Sequence, residues 1–131
     1  MGMTKKVIVD TNILLRVILN EPSDNFVKAK KIIDKIEQGV LIAIVSELVI
    51  AECIWVLMSV YKKTKSEILP IITELILRDN FEIRDKNIIA ESMEIFGQHN
   101  VSWIDSYLYC LSKNIDTELI TFDVKLNKLC K

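Results

Sequence analysis

Apolar and polar positions along the 131-residue chain change their period several times, and the changes mark out the elements. Val7-Ile8-Val9 is a β-branched run ending at Asp10, and Thr11 to Leu19 then follows a helical period with Arg16 as its only charge. A buried strand feeding a helix is expected. Asn20-Glu21-Pro22-Ser23 predicts a turn, with Ser23 placed to cap a second helix to about Gln38, closed by Gly39. Val40 to Val45 reads as a second buried strand, and Ser46 with Glu47 opens a strongly apolar helix to about Val60. Thr64 and Glu67 have capping-box spacing, and Pro70 predicts that the helix there starts late or kinks, ending near Arg78. Phe81-Glu82-Ile83 reads as a third strand, Asn87 to Phe96 and Ser102 to about Asn114 as helices, Glu118 to Thr121 as a fourth strand, and Asp123 as the start of a short last helix.

Strands alternating with helices imply a parallel sheet covered on both faces, joined by right-handed crossovers, with ligands at the strands' carboxyl ends. The expected class is α/β: a three-layer α/β/α sandwich around a short, mainly parallel sheet of four or five strands. One domain spanning residues 1–131 fits the chain length.

Composition narrows the picture. Half of the residues are apolar and just over a quarter charged, a globular balance without low-complexity tracts. The net charge of −1 lacks the basic excess of proteins that grip nucleic acid chiefly through counterion release, so any nucleic-acid contact must be local. Cys53, Cys110 and Cys130 lack metal-ligand spacing and lie among apolar residues, which reads as buried free thiols in a reducing cytoplasm. Met1 to Lys6 is too short and polar for an export signal, and no apolar run approaches membrane-spanning length.

The candidate chemistry lies in carboxylates. Asp10 follows the first strand and Asp123 the fourth, where open α/β sheets place their ligands. Glu52 is the only charge between Leu48 and Met58, so it requires a cation, a basic partner or solvent. Asp105 lies in the first turn of its helix and can join the same cluster. Such hard oxygen ligands suit Mg²⁺ or Mn²⁺, which can activate water and stabilise a leaving oxygen in phosphodiester hydrolysis. Histidine-based chemistry is poorly supplied, because His99 is the only histidine and stands in a loop beside Gly97, Gln98 and Asn100.

Four segments carry a resemblance: Val7 to Arg16, Ser46 to Leu57 around Ala51-Glu52, Trp103 to Leu108, and Leu119 to Asp123. In order, spacing and placement they resemble the PIN-domain nucleases, and most closely the VapC-type toxins of toxin-antitoxin operons. The resemblance implies that Asp10, Glu52, Asp105 and Asp123 form the acidic metal site, supported by Asn12 and Thr121. It further implies Mg²⁺- or Mn²⁺-dependent cleavage of RNA by a cytoplasmic homodimer held in check by a small antitoxin. Two departures stand out: the chain stops at Lys131 without the further strand common in the family, and Ser106 to Lys113 lacks an additional acid often found there. The number of metal ions stays open.

Each acid also has a plainer role. Asp10 and Asp123 are placed to cap helices, Ser102 and Asp105 have capping-box spacing, and Glu47 suits a helix dipole. Arg16 is a candidate contact for substrate or antitoxin, or a surface ion pair. The face formed by Lys28, Lys30, Lys31 and Lys35 reads as solvated, and Trp55 and Trp103 as core or dimer-interface aromatics. A receiver domain would require an acid pair before its phosphorylated strand end and a lysine at the last strand, which Glu47 and Lys125 do not supply. A haloacid-dehalogenase-type phosphatase would place an acid where Asn12 stands.

Overall fold

The computed structural model describes residues 4–131. The polar start at Met1 lies partly outside them. In chain order the elements are β1 (Lys5–Ile8), α1 (Thr11–Leu19), α2 (Asp24–Glu37), β2 (Leu41–Val45), α3 (Glu47–Ser59), α4 (Lys65–Leu77), β3 (Phe81–Ile83), α5 (Lys86–Gln98), α6 (Trp103–Asn114) and α7 (Val124–Cys130). The fold is α/β, with a parallel sheet in the order β1-β2-β3.

Local chemistry fixes most helix starts. Ser23, Ser46 and Ser102 accept backbone N–H groups of Phe26, Leu48 and Asp105 at 3.0, 3.0 and 3.1 Å, and Thr64 with Glu67 completes a capping box. That box starts α4 at Lys65, ahead of Pro70, which the helix accommodates in its interior. Helix α5 begins and ends outside its expected bounds. Asp85 precedes it in the left-handed region at φ 53° without a side-chain cap, and the helix runs through Gly97 and Gln98, leaving His99 as its C-cap.

Register explains the core. Val7 pairs with Ala43 and Ala43 with Phe81, while Val45 pairs with Ile83, so these side chains share one face with Val9. Against that face pack Ile50, Cys53, Ile54 and Leu57 of α3, Ile68, Ile72 and Ile76 of α4, and Ile89, Met93 and Phe96 of α5. Each large buried side chain contributes about 1.5–3 kcal/mol of transfer free energy. The opposite face carries Lys6, Ile8, Ile42, Ile44 and Glu82, all exposed or half-buried, with a Lys6–Glu82 ion pair of 3.1 Å across it.

The fourth strand expected at Glu118–Thr121 is not formed, and among the described residues the sheet has three strands rather than four or five. Ile120 points to solvent, and β1 keeps a free edge with Ile8 79% exposed. Strand pairing is non-local, so a strand-like sequence is not enough without a docked edge. Cys53 and Cys110 are buried as expected, whereas Cys130, at the end of α7, is exposed. No helix among the described residues is long and apolar enough to cross a membrane.

Candidate functional site

The carboxyl ends of the three parallel strands define one edge of the molecule. Ile8 pairs with Ile44 and Val45 with Ile83, and the Val9 N–H extends the ladder to the Ile44 carbonyl at 3.3 Å. The next residues out are therefore Asp10 after β1, Ser46 and Glu47 after β2, and Arg84 and Asp85 after β3. All leave the sheet at this edge.

Asp10 is the N-cap of α1: its Oδ1 accepts the Ile13 N–H at 3.2 Å, and the residue stays exposed. Asn12, one residue into α1, is exposed, and its side chain makes no hydrogen bond to the acids among the described residues. Arg16, also on α1, is exposed without an ion pair among the described residues. Glu52 is exposed on α3, so solvent satisfies the charge that its apolar neighbours in sequence do not. Asp105 is half-buried in the first turn of α6, which packs against α3. Asp123 caps α7 by accepting the Leu126 N–H at 2.8 Å. Thr121 steadies that cap: its Oγ1 accepts the Asp123 N–H at 3.0 Å, and its carbonyl accepts a hydrogen bond from the Asn127 side chain at 2.9 Å.

The capping roles foreseen for Asp10 and Asp123 are thus realised, and a cap leaves the second carboxylate oxygen available. The convergence of four acids is not. Among the described residues no three Asp, Glu, His or Cys side chains come close enough to hold one metal ion. The missing fourth strand supplies a reason: residues 118–123 are not docked on β1, so the sheet does not hold Asp123 beside Asp10. His99 is exposed at the end of α5, and its carbonyl accepts from Lys65 at 3.0 Å, which gives it no part at this edge.

The reading of Glu47 as only a dipole charge missed one property. Its Oε1 is shut off from solvent and has no hydrogen-bond partner among the described residues. Helix α6 packs against α3, and its half-buried Tyr107 has its phenol pushed above the ordinary value by burial and, secondarily, by the charges of Glu47 and Asp85. The donors at this edge are hard oxygens, the chemical type that a hard divalent cation takes, but among the described residues no three of them stand close enough to hold one together.

Comparison with known proteins agrees with the element order. The sequence profile of the PIN domain matches residues 7–131. No curated protein and no solved structure matches the chain. With the match running from β1 through α7, the chain belongs to the PIN domain family.

Proposed function

We propose that this chain is a Mg²⁺- or Mn²⁺-dependent endoribonuclease acting in the cytoplasm as the toxin of a toxin-antitoxin pair. The family supports the coarser part, since PIN domains are generally nucleases that use divalent metals such as Mg²⁺. The observation that carries the nuclease reading is a PIN-domain chain with carboxylates, and no histidine, at the carboxyl edge of its parallel sheet.

Asp10, Glu52, Asp105 and Asp123 are the residues that would hold the metal, which when bound supplies an activated water and neutralises charge on the leaving oxygen. Asp10 is aimed by its bond to Ile13 and Asp123 by the Thr121 turn, so both carboxylates are anchored at one oxygen. Arg16 lies about 9 Å along α1 from Asp10, a reach suited to a neighbouring phosphate of the RNA or to an acidic antitoxin segment. Because the net charge is only −1, binding depends on such local contacts.

The homodimer forms through the apolar face shared by α3 and α6, where Leu48 is 80%, Trp55 63% and Ile104 53% exposed. The deciding experiment incubates purified protein, free of antitoxin, with a mixed RNA pool. Cleavage with Mn²⁺ that stops in EDTA supports the enzyme, and equal RNA survival in both counts against it. Growth arrest on induction, absent in the variant with all four acids changed to amides, tests the toxin role. Harmless overexpression of an active enzyme would favour RNA processing outside a toxin pair.

A further inference from the structure

Strand register aligns three residues at the carboxyl edge. Ile8 pairs with Ile44 and Ile44 with Glu82, so two residues further along lie Asp10, Ser46 and Arg84 in one row. Side chains alternate between the faces of a sheet, which puts this row on the face of Ile8 and Glu82. That side is open: Ile8, Asp10, Glu82 and Arg84 are all exposed. Two strand spacings of about 4.8 Å set the backbones of Asp10 and Arg84 about 10 Å apart, which leaves room for a phosphate group between the two side chains.

The arginine of the row has no acid. Glu82, two residues before it on the same face, is engaged by Lys6 at 3.1 Å, and Asp10 holds the Ile13 N–H with its Oδ1. The other ion pairs among the described residues join Lys30 to Asp34, and Arg78 to Glu37 and Glu74, so none takes Arg84. A phosphodiester approaching Asp10 is repelled by Asp10 itself and by Glu47 and Asp85 at the same edge. The net charge of −1 supplies no general attraction to offset this. Holding a polyanion here therefore requires a cation in the row itself. A guanidinium is suited to it, because its fork meets phosphate oxygens with two parallel hydrogen bonds where an ammonium is only a point charge.

We propose that Arg84 is a positioning residue for the RNA, binding a backbone phosphate at the β3 end of the edge and so setting the strand across Asp10. The inference rests on the nuclease reading above and names how its substrate is held.

The test compares the parent, Arg84→Gln, Arg84→Lys and, as a control for loss of one exposed charge, Lys28→Gln on α2. Fluorescence anisotropy of a labelled single-stranded RNA in EDTA reads binding without cleavage, at several salt concentrations, and KM for cleavage in Mn²⁺ reads the same contact during turnover. Arg84→Gln should bind about five- to tenfold more weakly, lose about 0.7 from the slope of log affinity against log salt, and raise KM while kcat is kept. Arg84→Lys should recover the slope and only part of the affinity. Lys28→Gln should match the parent. Parent-like affinity, slope and KM in Arg84→Gln, or an equal loss in Lys28→Gln, overturns this inference alone. A parent that neither binds the RNA in EDTA nor cuts it in Mn²⁺ overturns both this inference and the nuclease reading.

Discussion

Lys65 lies over the ring of Phe96 with its ammonium 4.2 Å from the ring centroid. The same ammonium donates to the carbonyls of Phe96, His99 and Val101 at 2.9, 3.0 and 2.9 Å, tying the first turn of α4 to the end of α5 and the loop before α6. The Phe96 and His99 carbonyls belong to the end of α5, where they would otherwise need water or another donor. Phe96 also packs edge-on against Trp103, with centroids 5.8 Å apart, so the clamp sits on the aromatic seam between α5 and α6. Lys65→Met keeps the aliphatic stem and removes the donor, and should cost about 2–3 kcal/mol of stability. Lys28→Met on the exposed face of α2 should change stability by less than about 0.5 kcal/mol. Urea unfolding of both variants checks the contrast, and equal losses would mean that the clamp contributes nothing.

Burial, with the charge of Glu52 as a lesser cause, pushes the Cys53 thiol from 9.0 to about 12. Below pH 9.0 the folded and unfolded chains both keep this proton, and the stability associated with it is fully present. Between pH 9.0 and about 12 the unfolded chain releases the proton while the folded chain retains it. Stability should therefore fall by about 1.4 kcal/mol per pH unit from this group alone. Cys53→Ala removes that component, so its stability should decline less steeply with pH than the parent's in this window. Parallel declines would contradict the assignment. The same burial predicts that at pH 8 a thiol reagent labels Cys130 quickly, and Cys53 and Cys110 only after unfolding.

The exposed apolar face of α3 and α6 borders a cavity of about 360 Å³ between Trp55, Met58, Trp103 and Ile104. A large aromatic beside a pocket is the usual form of an interface anchor. Sedimentation should find the parent dimeric at micromolar concentration and Trp55→Arg monomeric, with an unchanged far-UV spectrum because Trp55 is outside the core. A parent that stays monomeric throughout rules out this interface.

Most of the helices were legible because their signals are local. Ser23, Ser46, Thr64 with Glu67, Ser102 and Asp123 cap the helices that their positions predicted. Tertiary contacts account for the misses. Gly97 looks like a helix breaker, yet a Cβ there would stand 2.7 Å from Leu69 Cδ1, so glycine permits the close approach of α4 to α5. Leu119 and Ile120 look like a strand, but no local feature states whether an edge receives them. At the candidate site, Asp10 was legible from its place after β1, whereas Asp123 was placed by a fourth strand that does not form, Glu52 by its apolar run and Asp105 by the first turn of α6. The buried oxygen of Glu47 was not legible, because its place beside Ser46 already had a sufficient local explanation, and that burial depends on how α3 meets the rest of the fold.

Asp10 offers the sharpest separation of folding from chemistry, because one side chain serves both. Its Oδ1 caps α1 through Ile13, and its other oxygen is the candidate metal ligand. Asparagine caps helices about as well as aspartate, whereas alanine forfeits the bond at about 1 kcal/mol. Asp10→Asn should therefore keep the parent's stability to within about 0.5 kcal/mol in EDTA, while Asp10→Ala should lose about 1 kcal/mol. An amide oxygen is neutral and a poorer ligand for a hard cation, so both variants should lose Mn²⁺-dependent RNA cleavage, and Mn²⁺ should raise their melting temperatures less than the parent's. The diagnostic pattern is thus one variant that is stable and inactive and one that is weakened and inactive. Urea unfolding in EDTA, Mn²⁺-dependent melts and RNA cleavage on the three proteins read it directly. If Asp10→Asn cuts RNA at the parent's rate, Asp10 is a helix cap and nothing more.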